Sequence, residues 1–388
     1  MKRLSFPLAL IFLSCGGGGG GGTPANPIQY NLSSSQIIMD GVNGVDAVPF
    51  SLAGIAHLLI CDATSGELHH YLQDPFTAPP GDNTVDNQGC SGLFGVSDEA
   101  NGIYHALYVR DPGTGKELVH AWWDGSSWAL APVGPVGALG GSPHLLLGGT
   151  ALHLVFRNGT GAFATPTYAE TPLGVGPFVW TTPIDIGTPG AGMGGTPQLV
   201  LSGTSLYLFH FDGAAGALRL LSCASSCDLV SNWTPDPSPP LIPDVGAAFS
   251  VDVVPSTGNL ALLYRDTINS EVRYRAWSTA NPFTPGSNIV PVWSVSGLLT
   301  PRLHLKIEPG GRRHNLAWIQ NGANLELRHR YGFGAFIDDG NDPFYIQPMD
   351  PSFTPSLHPL FEAGSNPIMV LSWVTGPSVR WERRTPVF

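Results

Sequence analysis

Three arginines close apolar runs beside an acid or an amide: ALYVRD at 106–111, LVFRN at 154–158 and LLYRD at 262–266. A guanidinium is a planar fork of donors that grips a carboxylate through two parallel bonds. Arg110, Arg157 and Arg265, gathered on one face, would therefore attract an acidic group. Trp122 and Trp123, in LVHAWWDGSSWALAPVG at 118–134, add flat rings of the kind on which a sugar stacks. The neighbouring acids read differently. Asp or Asn at a strand end accepts bonds from its own turn backbone, and Asp62, Asp212 and Asn321 hold the same place with no arginine before them. The turn needs the acid or amide; the arginines are additional, serving either a local ion pair with the hairpin or a ligand.

These positions recur. Asp62, Asp111, Asn158, Asp212, Asp266, Asn321 and Thr375 follow one another at intervals of 47 to 55 residues. A second column, Pro143, Pro197, Phe249, Pro301 and Pro355, opens a Pro-x-Leu segment upstream in most units. After each Asp or Asn comes a short alternating run, such as ELHHY from Glu67 or EVRYRAW from Glu271, which is the strand signature. A third column places Phe76, Trp128, Trp180, Trp233, Trp293 and Tyr345 after that run. Each unit is thus four short strands, and four strands per fifty residues, repeated, predict an all-β β-propeller. The second strands are continuously apolar because both faces of a blade pack on neighbours. Seven units give seven blades. The last lacks an outer strand, and PIQYNL at 27–32, with Tyr30, is expected to supply it and close the ring.

Composition agrees. Charged residues are only 12%, while 49 Gly and 36 Pro punctuate a chain whose apolar fraction of 43% suffices for a core. The net charge of −11 falls by two more if residues 1–14, with Lys2 and Arg3 and no acid, are removed. Such a surface repels phosphate backbones and excludes nucleic acid as a partner.

MKRLSFPLALIFLSC at 1–15 has a basic start and an apolar stretch from Leu4 to Leu13, too short for the ~20 residues that span a bilayer. It resembles a bacterial lipoprotein signal, in which a cysteine after a small residue becomes the lipidated first residue. The resemblance implies cleavage after residue 14, acylation of Cys15 with chains such as palmitate, and, with Gly rather than Asp next, an outer-membrane location. Residues 15–26, with seven glycines from Gly16 to Gly22, then form a tether of on the order of 20 Å, and residues 27–388 the propeller. In an oxidising compartment the remaining cysteines, Cys61, Cys90, Cys223 and Cys227, are an even set. Cys223 with Cys227 would close a small loop, and Cys61 with Cys90 would link neighbouring repeats.

The Trp-Asp-Gly turn of LVHAWWDGSSWALAPVG resembles the repeats of seven-bladed bacterial lectin propellers, in one unit of the seven. Apolar runs ending in Arg-Asp are weakly similar to sialidase propellers, although the Asp-box of that family is absent. The first resemblance implies glycan binding, the second glycoside hydrolysis by paired carboxyls, for which Glu99, Glu170, Glu308 and Glu362 are the available groups. Tryptophans in a periodic column are equally expected to be inter-blade core. The twelve histidines include no HExxH, and His69 and His70, adjacent in a strand, point to opposite faces. They read as core or rim residues. IDDGNDPF, with Asp338, Asp339, Asn341 and Asp342, carries oxygens enough for calcium but reads first as an Asx-rich turn. No cofactor, catalytic or metal-binding set is assigned. Three functions remain: a non-catalytic module binding a glycan or another extracellular or periplasmic ligand, favoured here; a structural or scaffold protein of the outer membrane; and a sialidase-like hydrolase.

Overall fold

The structure is a computed structural model. It describes residues 29–40, 44–62, 64–73, 81–137, 141–160, 163–186, 190–191, 197–235, 242–243, 245–285, 289–295, 302–308, 311–333, 345–348, 358–361, 369–375 and 378–387. The expected lipidation site and tether, Phe76, Glu362 and the Asp338–Asp342 turn lie outside them.

The chain is a β-propeller of four-stranded antiparallel blades, and its strands run outward in sequence order. Blade one comprises Gly44–Leu52, Ile55–Asp62, Leu68–Gln73 and Gly81–Asp86. Blade two comprises Ser91–Asp98, Ile103–Arg110, Glu117–Trp123 and Trp128–Pro135. Blade three has Gly141–Gly148, Ala151–Thr160, Phe163–Pro172 and Ile184–Asp185, with Gly190–Ala191 also on its third strand. Blade four has Gln198–Ser202, Ser205–Asp212, Ala217–Cys223 and Thr234–Pro235. Blade five has Val245–Val254, Asn259–Asp266, Glu271–Trp277 and Ile289–Ser294. Blade six has Arg302–Ile307, Arg312–Asn321, Asn324–Phe333 and Tyr345–Pro348.

The expected count of seven blades is corrected to six: six blades are continuous in sequence, and the remaining four-stranded sheet among the described residues is composite, built from both ends of the described chain. In it His358–Phe361, Met369–Thr375 and Ser378–Val387 are joined by Gln29–Asp40, which pairs along Ser378–Val387 from Gln29 opposite Val387 to Asp40 opposite Ser378. The first strand of blade one packs on this sheet, and first strands of blades one to six pack successively on one another, so they line the axis.

The second strands are the core. Ile55–Asp62 is buried from Ala56 onward, and Ile103–Arg110 is buried up to Val109. Apolar clusters cross blade boundaries: Val48, Phe50 and Leu59 of blade one pack with Tyr104, Ala106 and Val119 of blade two. Fit there is close, since a Cβ on Gly95 would lie 1.8 Å from the Tyr104 hydroxyl. Both expected disulfides are present: Cys61–Cys90 ties blade one to the segment entering blade two, and Cys223–Cys227 closes a four-residue separation after a third strand.

The Asp/Asn column is turn chemistry. Asp62 accepts from the Thr64 amide at 2.8 Å and from the Ser65 hydroxyl at 2.8 Å; Asp212 takes the amides of Ala214 and Ala215, and Asp266 that of Asn269. The aromatic column is corrected at one member. Trp128 opens its outer strand, whereas Trp293 stands near the end of Ile289–Ser294, opposite Val272. Trp277, whose indole donates to the Pro282 carbonyl at 2.9 Å, is the aromatic that precedes the outer strand in blade five.

Candidate functional site

The first strands begin irregularly. Their pairing with the second strands skips between Gly44 and Asp46, Ser91 and Phe94, Gly141 and His144, and Val245 and Phe249. A bulge leaves a residue unpaired and re-aims the side chains beside it. At Gly92 and Ser142 the bulge requires the left-handed region, with φ of 62° and 52°. A Cβ on Gly92 would also come within 3.4 Å of Ser142 and Pro143 in the next blade, so the bulged segments are nested.

Around the axis these openings enclose a cavity of about 140 Å³, lined by Asp46, Phe94, His144, Gln198, Ser250 and Arg302 among others. Most of its polar groups bridge neighbouring blades. Asp46 accepts from the Leu93 amide at 3.0 Å, and His144 Nδ1 from the Leu199 amide at 3.3 Å. The Gln198 side chain donates to the Phe249 carbonyl at 2.9 Å and accepts from the Val251 amide at 3.0 Å; Ser250 Oγ accepts from the Leu305 amide at 2.9 Å. Inner-strand edges, which have no fifth strand to pair with, are thereby satisfied by side chains of the preceding blade. Burial pushes His144 down to about 3, so it is neutral at ordinary pH. The Phe94 and His144 rings lie 4.5 Å apart and tilted, forming one wall.

These residues were missed by sequence reasoning, yet a signal existed. His144, Gln198 and Arg302 are the variable x of the Pro-x-Leu column, with Ser250 at the equivalent place. The constant proline and leucine mark the column, whereas its variable member lines the cavity.

Arg110, Arg157 and Arg265 occupy the turns on the cavity's side of the ring, since Gly141 pairs with Arg157 and Val245 with Asp266. They are not an open cationic cluster. Arg110 is 15% exposed and bridges Asp86 at 2.7 Å and Glu117 at 3.2 Å. Arg157 and Arg265 are half-buried, and burial lowers the pKa of each; the Arg265 stem lies over Gly246, where a Cβ would be 3.3 Å away. Nor are the tryptophans beside them. Arg110 pairs with Glu117 and Tyr104 with Trp123, at opposite ends of the same ladder. Six residues of strand at ~3.3 Å each put roughly 20 Å between Arg110 and Trp123. Trp123 is buried, and Trp122 is half-buried with its ring edge-on to Phe178 at 5.2 Å.

The histidines form inter-blade columns away from the axis. His57 Nδ1 lies 3.0 Å from His70 Nε2, and the Trp128 indole of blade two donates to His70 Nδ1 at 3.0 Å. His105 and His120 repeat the pair at 3.1 Å, with Trp180 of blade three donating to His120 Nδ1 at 3.3 Å. An indole can only donate, so His70 and His120 accept at Nδ1 and carry their proton on Nε2. Blade three substitutes Tyr168 for the second histidine, 2.7 Å from His153, and blade six has His314 and His329 at 3.1 Å. His69, facing away from His70, pairs with Glu67 at 3.2 Å.

The carboxyls available for hydrolysis are spread among blades. Glu99 accepts from the Ala53 amide, Glu170 from Tyr168, and Glu308 lies against His314. Among the described residues no three His, Cys, Asp or Glu gather as a metal site.

No protein-family model matches the chain, and no curated protein matches its sequence. Solved structures do resemble it. Two structures of an ulvan lyase, from a new family of polysaccharide lyases, superpose with TM-scores of 0.53 and 0.54 at 12% identity. They cover 88% and 89% of this chain and 93% and 94% of theirs, and one is bound to -[GlcA(1-4)Rha3S]-. A mutant of the Aleuria aurantia lectin in complex with alpha-methyl-L-fucoside gives 0.44 at 11% identity, over 83% of this chain and 96% of its own. At such identity the ulvan lyase likeness establishes the propeller fold alone.

Proposed function

We propose that this protein is a non-catalytic binding module of the bacterial cell envelope, taking a glycan at the mouth of its propeller axis. The observation that carries the reading is the axial cavity, to which six blades contribute residues that combine fixed polar side chains with the tilted Phe94 and His144 rings. Pockets that orient hydroxyl-rich ligands combine an apolar wall with a few fixed polar groups. The polysaccharide and fucoside named with the ulvan lyase and the lectin fit the same class of ligand. Because the cavity is smaller than the ~300 Å³ of an ordinary ligand pocket, it suits the end of a chain. A glycan array probed with the full-length protein is expected to show a restricted set of bound saccharides. Binding to none of them, together with capture of a protein partner over a broad surface, overturns the reading in favour of a scaffold.

In the same proposal Cys15 is lipidated and holds the propeller at the outer membrane through residues 15–26. A single acyl chain binds membranes only marginally, so stable anchoring needs more than one. The Cys15→Ser variant is expected to move from the membrane fraction to the soluble fraction. Its continued sedimentation with membranes overturns the anchor.

A further inference from the structure

We infer that the axial cavity recognises an anionic sugar at a chain end, with Arg302 as the group that grips its carboxylate. This rests on the glycan-binding reading and specifies the sugar class and the residue. Arg302 opens the first strand of blade six, lines the cavity and is exposed. No other described residue holds its guanidinium in a hydrogen bond or ion pair. By contrast, Arg110, Arg219, Arg273 and Arg328 each face a carboxylate within 3.3 Å.

The rest of the cavity explains why one cation decides the ligand. Asp46 spends its oxygens on the Leu93 and Ala47 amides, and Gln198 and Ser250 are engaged with the next blade. They shape the space but offer little new bonding. His144 is neutral, and Asp46 is the opposing charge on the wall. On a chain of net charge −11, an acidic ligand is repelled everywhere except at a local free cation. A carboxylate matches the guanidinium fork and satisfies it through two charge-assisted bonds. The Phe94–His144 wall gives the apolar face of the same sugar ring a surface to rest on. With about 140 Å³ available, only one ring enters, so the acid must be on the terminal residue.

Calorimetric titration of the full-length protein tests this with three oligosaccharides: one ending in glucuronate, one ending in glucose, and one whose glucuronate is capped by glucose. The terminal glucuronate is expected to bind about tenfold more tightly than either of the others, as one charge-assisted pair warrants. Arg302→Gln is expected to erase that preference, bringing the terminal-glucuronate affinity down to that of the glucose-ended sugar in the same variant, while leaving the melting temperature unchanged. Arg302→Lys, keeping charge without the fork, should retain part of it. A preference that survives in Arg302→Gln, or a capped glucuronate bound as tightly as a terminal one, overturns the inference. Equal binding of all three sugars by the unaltered protein overturns this inference and leaves glycan binding standing; binding of none overturns both.

Discussion

The protein is expected to lose most of its stability between pH 6.5 and pH 4. Burial pushes His57 and His105 down to about 4 and His70 to about 3, and His210 and His144 to about 4 and 3. A histidine with a lowered pKa in the folded chain binds a proton more readily when unfolded. Its contribution is therefore complete above about 6.5 and is lost as the pH falls towards the folded value. At pH 5, a shift from 6.5 to 4 costs about 2 kcal/mol per group relative to neutral pH. Five such groups, even allowing for coupling within each pair, approach the 5–15 kcal/mol that holds a typical domain together. The geometry supplies the reason. A proton on His70 or His120 Nδ1 would point at the N–H of Trp128 or Trp180, and that repulsion sits between blades. Thermal melts at pH 7.5 and pH 5 measure the effect; equal melting temperatures would show that these histidines are solvated and unconstrained.

The same columns show where sequence reading reaches and where it stops. Four strands per unit were legible because turn acids such as Asp62 and Asp266 need no tertiary partner: their bonds run to amides two and three residues on. The continuous burial of Ile103–Arg110 was legible from its apolar run. The histidine pairs have a signal too, since His57, His105 and His153 recur at an interval of 48, but pairing across a ladder needs the register to be known. Grouping Arg110 with Trp122 and Trp123 failed on one geometric point. A strand of seven residues separates its ends by most of a blade's height, so residues near in sequence lie on opposite faces of the ring. The axial site was hidden for a different reason. Its side chains are aimed by bulges, and a bulge breaks the period-two rule by which a strand's faces are read.

Ring closure carries the other large expected effect. Gln29–Asp40 is the only strand among the described residues that returns to a sheet from a distant part of the sequence, pairing with Ser378–Val387 along nearly its whole length. Each blade buries its faces against two neighbours, so a sheet that frays exposes the first strand of blade one, which packs on it. Removing the strand also leaves a ten-residue edge, from Ser378 to Val387, with unpaired backbone groups open to another chain. A chain beginning at Gly41 is therefore expected to melt roughly 5 °C below one beginning at Gln29, since the midpoint of a domain this large moves only about 1–2 °C per kcal/mol and loss of the strand removes several. It should also form aggregates at concentrations where the longer chain stays dispersed. Adding the 29–40 segment back as a free peptide should recover part of the lost melting temperature, because the vacant edge is a template for that strand and association with the folded form stabilises it. Identical melts for the two chains would mean that the ring is held by the contacts between blades alone and that the joining of the two ends is incidental to stability.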